Sequence, residues 1–256
     1  MKYKVETVCA FLTDAVSAWK NVECIAIDQR SDVHADDPYF ALVIDVYHRG
    51  AIPHADRRRK AFGDPGAFET ATGRSKDRFF LSGIPVRIEY KSVRRMDAML
   101  DHPMDHIKLL KNSGTYPLYR LMTSRILFGS SGWILHVREK LGSFPEGAWE
   151  ALRYSFSSKM EHYLEDMGAA LVSGDPYFRL VSEAGFIHYT AATLFMANRR
   201  FEPSHREIDA VLRALPKLPD DFLGPWETFL RDDTDSTPSR RRELAELMAR
   251  SVLSLG

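Results

Sequence analysis

The sequence predicts an α+β fold, a small mixed β-sheet with flanking helices followed by an α-helical bundle. Three observations carry that prediction. The acid-bearing segments Tyr39–Tyr47 and Ile84–Tyr90 alternate in the manner of strands. Strand signals are confined to the first hundred residues, and from about residue 95 helical periodicity runs to the C-terminus. A chain of 256 residues with 45% hydrophobic and 27% charged side chains can bury a substantial core. The expected division is therefore residues 1–100 for the α/β unit and 101–256 for the helical one.

Val5, Val8, Leu12, Val16 and Trp19 recur at helical spacing and predict an amphipathic helix over 4–20. A β-branched run, Val22–Ile27, ends in the polar stretch Asp28-Gln29-Arg30-Ser31-Asp32. The next strand puts Phe40, Leu42, Ile44 and Val46 on one face, and Tyr39, Ala41, Val43, Asp45 and Tyr47 on the other. Residues 49–78 are polar and basic, with the run Arg57-Arg58-Arg59-Lys60, and a helix is expected somewhere inside this stretch. Ser82-Gly83 between Phe79–Leu81 and Ile84–Tyr90 reads as a tight turn. Helices are then expected near 104–112, 117–128, 131–141, 146–172, 177–198, 204–214, 220–231 and 239–254. Ser204 and Glu207 have capping-box spacing, Pro238 suits a first helical turn, and Asp232–Ser239 reads as a surface loop.

Composition narrows the function classes. Thirty-five basic and 35 acidic side chains cancel, so no global field favours nucleic acid or an anionic membrane. No apolar run approaches the roughly 18 residues of a membrane span, and a cytoplasmic location is expected. Cys9 and Cys24 cannot build a disulfide scaffold or a four-cysteine zinc site. There is no P-loop and no G-x-G-x-x-G, and Gly129-Ser130-Ser131-Gly132 is not a nucleophile elbow.

The candidate chemistry lies on the two acid-bearing strands. Alternation puts Arg87, Glu89 and Lys91 on one face, and pairing of the strands would bring Asp45 opposite Glu89 across a metal-sized gap. Phosphoryl transfer uses carboxylates to hold Mg2+ against nucleotide phosphates, with basic side chains neutralising the charge. An ordinary solvated sheet face with a cross-strand ion network has the same pattern, and the residues alone leave both readings open. The Asp28–Asp32 stretch could meet a phosphate but lacks the glycines that let backbone amides approach one. His162 and Asp166 share a helix face, as metal or substrate ligands or as a plain solvated pair. Arg200 and His205 have the Arg-x4-His spacing of some ribonucleases, but Pro203 interrupts the helix such a site needs.

The order helix, strand, polar loop, two acid-bearing strands and helical domain resembles the polymerase-β-like nucleotidyltransferase superfamily, in particular its kanamycin and lincosamide type. Leu194–Ser204 and Leu215–Phe222 resemble the helical domain of that group. The resemblance implies transfer of a nucleoside monophosphate from an NTP to a small-molecule hydroxyl acceptor, with Mg2+ as cofactor. It implies Asp45 and Glu89 as catalytic metal ligands or base, and Arg30, Ser31, Arg87, Lys91 and Lys159 as nucleotide contacts. Two departures stand against full activity. Asp28-Gln29-Arg30-Ser31 occupies the place of the family's Gly-Ser, and Val43 the place of the first of two acids. A metal ligand is then missing unless Asp28, Asp32 or Asp37 substitutes. The alternative is a non-catalytic nucleotide- or partner-binding module that retains the fold, which Val43 favours. A third reading, one half of a toxin–antitoxin pair, is opposed by the chain length and the fused helical domain.

Overall fold

The computed structural model describes residues 2–28, 41–73, 75–231 and 237–255. The chain forms two compact units, Met1–His102 with Arg120–Ser143, and Pro103–Tyr119 with Phe144–Gly256.

The first unit runs through α1 (Lys2–Ser17), β1 (Val22–Ile27), β2 (Leu42–His48), α2 (Ala55–Ala61), β3 (Gly66–Thr70), β4 (Lys76–Leu81), β5 (Ile84–Ser92) and α3 (Val93–Asp101). The short helix α4 (Ile107–Ser113) and the start of α5 (Tyr116–Thr123) belong to the second unit, and the rest of α5 with β6 (Arg125–Gly129) and α6 (Trp133–Gly142) completes the first. The described strands form a six-stranded mixed sheet in the order β3-β4-β5-β2-β1-β6. Its central pair, β2 and β5, is parallel, and the other neighbours are antiparallel.

One face of the sheet is the core. Val5, Val8, Cys9, Leu12 and Val16 of α1 pack on Ile25, Ile27, Leu42, Ile44, Val46, Val86 and Ile88, joined by Phe62 after α2. The i, i+3, i+4, i+7 recurrence along α1 puts its apolar stripe on that face. β2 is buried on both faces because α6 covers part of the other one: the Trp133 and Tyr47 rings lie 5.1 Å apart. α2 is tied to the sheet by charge. Arg58 donates to both Asp77 oxygens at 2.8 Å, and Tyr90 and Thr70 donate to the same carboxylate at 2.7 and 2.9 Å.

The second unit is helical. α7 (Glu146–Ser173) and α8 (Pro176–Ala197) form an antiparallel hairpin, and α9 (Ile208–Arg213), α10 (Leu223–Leu230) and α11 (Pro238–Leu253) follow. Gly174 closes α7 at φ +67°, a left-handed turn that suits glycine, and Asp175 caps α8 by accepting from the amides of Tyr177 and Phe178. Gly185 permits the close approach of the two helices, because a Cβ there would lie 2.5 Å from the Tyr163 ring. Among the described residues no helix is long and apolar enough to cross a membrane.

The α+β architecture expected from the sequence is present, and several details differ. The helix expected over 117–128 is α5 followed by strand β6, so strand structure does not end near residue 95. An apolar run as short as Ile126-Leu127-Phe128 does not reveal its period, and β6 exists because β1 offers it a partner edge. That return to the sheet is why Arg120–Ser143 belongs to the first unit rather than following a single cut at residue 100. The polar stretch 49–78 holds β3 as well as a helix. The capping box at Ser204 does not form: α9 starts at Ile208, and Ser204 instead closes a turn by accepting from the Glu207 amide at 2.8 Å. Pro238 sits in the first turn of α11, where its missing N–H costs nothing. The loop expected at 232–239 falls largely outside the described residues.

Candidate functional site

The parallel β2/β5 register sets Asp45 directly beside Glu89 and Val43 beside Arg87. The period of two puts both acids on the face opposite the α1 core, together with Lys91 and, from β4, Lys76. Asp45 is completely buried. Such a charge has to be paired, and two cations pair it: Lys91 Nζ lies 2.8 Å from Oδ1, and a guanidinium nitrogen of Arg120, on α5, lies 2.8 Å from Oδ2. The Tyr47 hydroxyl donates to Oδ2 at 3.4 Å. Burial and the Asp45 charge push that phenol well above its ordinary value, so it stays protonated and remains a donor.

Glu89 shares the same cations and adds two. Lys91 Nζ and an Arg120 nitrogen each lie 3.5 Å from Oε2, and Lys76 Nζ and Arg87 Nε lie 3.3 and 3.6 Å from Oε1. Burial alone would raise the Glu89 carboxyl. The Lys91, Arg120, Lys76 and Arg87 charges outweigh it and hold the group below the ordinary carboxylate value. Arg120 is 4% exposed and bridges the two acids, whereas Arg87 and Lys76, at 38% and 31%, reach solvent. Four cations face two carboxylates, an excess of two positive charges.

Mg2+ needs a near-octahedral set of oxygens and is held by carboxylates free to give it their charge. Here every oxygen of the acid pair has a cationic neighbour, and among the described residues no three His, Cys, Asp or Glu side chains converge as ligands. The described residues do not fit the metal. The cluster can neutralise an anion at its exposed rim.

The sequence brought Asp45, Glu89, Arg87 and Lys91 into one cluster, and the structure joins them. Arg30 and Ser31 lie outside the described residues, as do Asp32 and Asp37. Asp28 follows β1, and its amide donates to the Val43 carbonyl at 3.4 Å. Lys159 lies on α7 in the other unit, where its ammonium donates to the Lys111 carbonyl at 2.6 Å. His162 and Asp166 form an i,i+4 pair at 3.6 Å, with the histidine exposed. The sequence reading missed Lys76 and Arg120. Arg120 had a signal: it is a lone cation in Leu118-Tyr119-Arg120-Leu121, whose two leucines are buried, and such a residue needs a buried partner.

The fold is α+β, a six-stranded mixed sheet and a helical unit. The chain is similar to the crystal structure of a nucleotidyltransferase-like protein from Exiguobacterium sibiricum 255-15, with a TM-score of 0.52 over 97% of this chain and 74% of that one. The two sequences are 13% identical, so the likeness speaks for the fold alone. No protein-family model matches the chain, and no curated protein matches its sequence.

Proposed function

We propose that this nucleotidyltransferase-like protein binds the phosphates of a nucleoside triphosphate on the sheet face without a divalent cation, as a binding module rather than a transferase. One observation carries the reading: Asp45 and Glu89, side by side across β2 and β5, are bridged by Lys91 and Arg120 where metal-dependent transfer would need a metal. The acids then anchor cations instead of activating a hydroxyl. Lys91 and Arg120 stay in the network, and Arg87 and Lys76 at its solvent edge meet the phosphates. Val43 is consistent with this role, since an aspartate there would stand beside Arg87 and remove half of the charge excess.

Calorimetry with ATP, GTP, CTP and UTP, in EDTA and then in Mg2+ or Mn2+, tests the proposal. Binding is expected in EDTA and no tighter with metal, because a metal on the phosphates removes charge the cluster would otherwise meet. Arg87→Gln is expected to weaken it by roughly ten- to a hundredfold, the loss of one charge-assisted hydrogen bond of about 1.5–3 kcal/mol. Binding that requires Mg2+ and disappears in Glu89→Gln would sink the proposal and restore the transfer reading, in which Asp45 and Glu89 hold the metal.

A further inference from the structure

The helical unit contains a cleft of 490 Å³, within the range of roughly 300–1,000 Å³ typical of small-molecule sites. Its walls include Lys111 from α4, Tyr116 from α5, Phe156 from α7, His188 and Tyr189 from α8, and His205 from the loop after α8. The frame is preorganised. The buried Glu202 carboxylate accepts from the Thr115 amide at 3.0 Å and from its hydroxyl at 3.1 Å, and the Glu202 amide donates back to that hydroxyl at 2.8 Å. Gly114, at φ +72°, lets the chain turn under this clasp, and a Cβ there would come within 3.3 Å of the carboxylate. The aromatic wall is equally fixed, with Tyr189 stacked on Tyr163 at 5.6 Å and Tyr163 seated against Gly185.

Besides the phenols Tyr116 and Tyr189, the charged and titratable groups around the cleft come from three elements and the loop. They are Lys111 on α4, Lys159 on α7, His188 on α8, and Glu202, His205 and Arg206 on the loop. Lys159 Nζ lies 4.9 Å from the centre of the Tyr189 ring. The one acid is engaged with Thr115, so the balance is positive. The His188 and His205 rings lie 5.4 Å apart, tilted by 35°, and each supplies two N–H donors when protonated.

We propose that this cleft binds a small ring-bearing oxyanion, a carboxylate or a phosphate monoester. The His188–His205 pair and Lys111 meet the anion, and Tyr189 and Phe156 meet the ring. In the empty cleft burial lowers the His188 pKa, and His205 and Lys159 push the same way against Glu202. A bound anion reverses that balance, so binding takes up a proton. Between the lowered pKa of the empty cleft and the raised one of the complex, affinity falls as pH rises, by at most about tenfold per pH unit for one proton.

Nuclear magnetic resonance of the imidazoles, with benzoate and phenyl phosphate titrated into the full chain, tests the inference. Saturable shifts of both His188 and His205 are expected, and the tighter of the two ligands assigns the head group. His205→Ala, at an exposed position, is expected to weaken binding by roughly ten- to a hundredfold. Benzoate, whose charge is constant from pH 6 to 8, is expected to bind more weakly as pH rises through that range. Absence of saturable shifts in both rings would overturn the inference. So would binding unchanged in both His205→Ala and His188→Phe, or binding abolished instead by Arg87→Gln, which would move the ligand to the sheet face. Inorganic phosphate binding as tightly as phenyl phosphate would overturn the ring assignment. Should His188→Phe fail to fold, the wild-type shifts and His205→Ala still decide the matter.

Discussion

The sheet carries two buried charge networks, one on each face, and they are built to opposite plans. On the core face Arg58 and Asp77 are matched one to one, both fully buried, with Tyr90 and Thr70 taking further positions on the carboxylate and the Pro53 carbonyl accepting from the guanidinium at 2.7 Å. On the other face Asp45 and Glu89 meet Lys76, Arg87, Lys91 and Arg120, and the surplus cations extend toward solvent. A closed network with no surplus fixes a helix to a sheet. An open one with surplus charge holds a surface ready for an anion. Burial of charge alone therefore does not mark a site; under the proposed function the stoichiometry and the exposed rim do.

The contrast makes the closed network the more fragile under mutation. Arg58→Leu strands Asp77 in the core and is expected to cost about 3–5 kcal/mol in urea unfolding, the usual loss when one partner of a buried pair is removed. Arg120→Leu leaves Asp45 with Lys91 and Tyr47, so the expected cost is smaller, roughly 1–3 kcal/mol by the same measurement. Equal costs at the two sites would erase the distinction. Arg87→Gln, at the solvent edge, is expected to change stability by less than about 0.5 kcal/mol while weakening nucleotide binding in EDTA. A large loss of stability there would make the open network structural after all.

Much of the open site could be read from the chain, and the closed one could not. The alternation Val86-Arg87-Ile88-Glu89-Tyr90-Lys91 fixes which side chains share a face, a local property with a period of two. Pairing β2 with β5 then brings Asp45 to Glu89. Arg120 and Lys76 join from α5 and β4, and their approach depends on tertiary packing that no local period encodes. Arg58 looked like one member of a basic run, Arg57-Arg58-Arg59-Lys60, yet it alone is fully buried. β6 was missed for the same reason, since a short edge strand is defined by the partner it finds.

The smallest expected effect separates the networks by pH. Glu89 is held below its ordinary value in the folded protein, so its ion pairs favour folding at pH above the ordinary carboxylate value. As pH falls through the lowered value, the carboxylate takes up a proton in the folded state too, and that contribution is lost. Glu89→Gln removes the titrating group, so its stability is expected to decline less steeply with acid over this window than that of the parent. Arg58→Leu makes a contrasting control, because it alters the core network while leaving Glu89 and its four cations in place. Parallel acid limbs for Glu89→Gln and the parent in pH-dependent urea unfolding would show that the open network does not hold the Glu89 charge. The surplus on the sheet face would then be a solvated patch rather than a preorganised anion site.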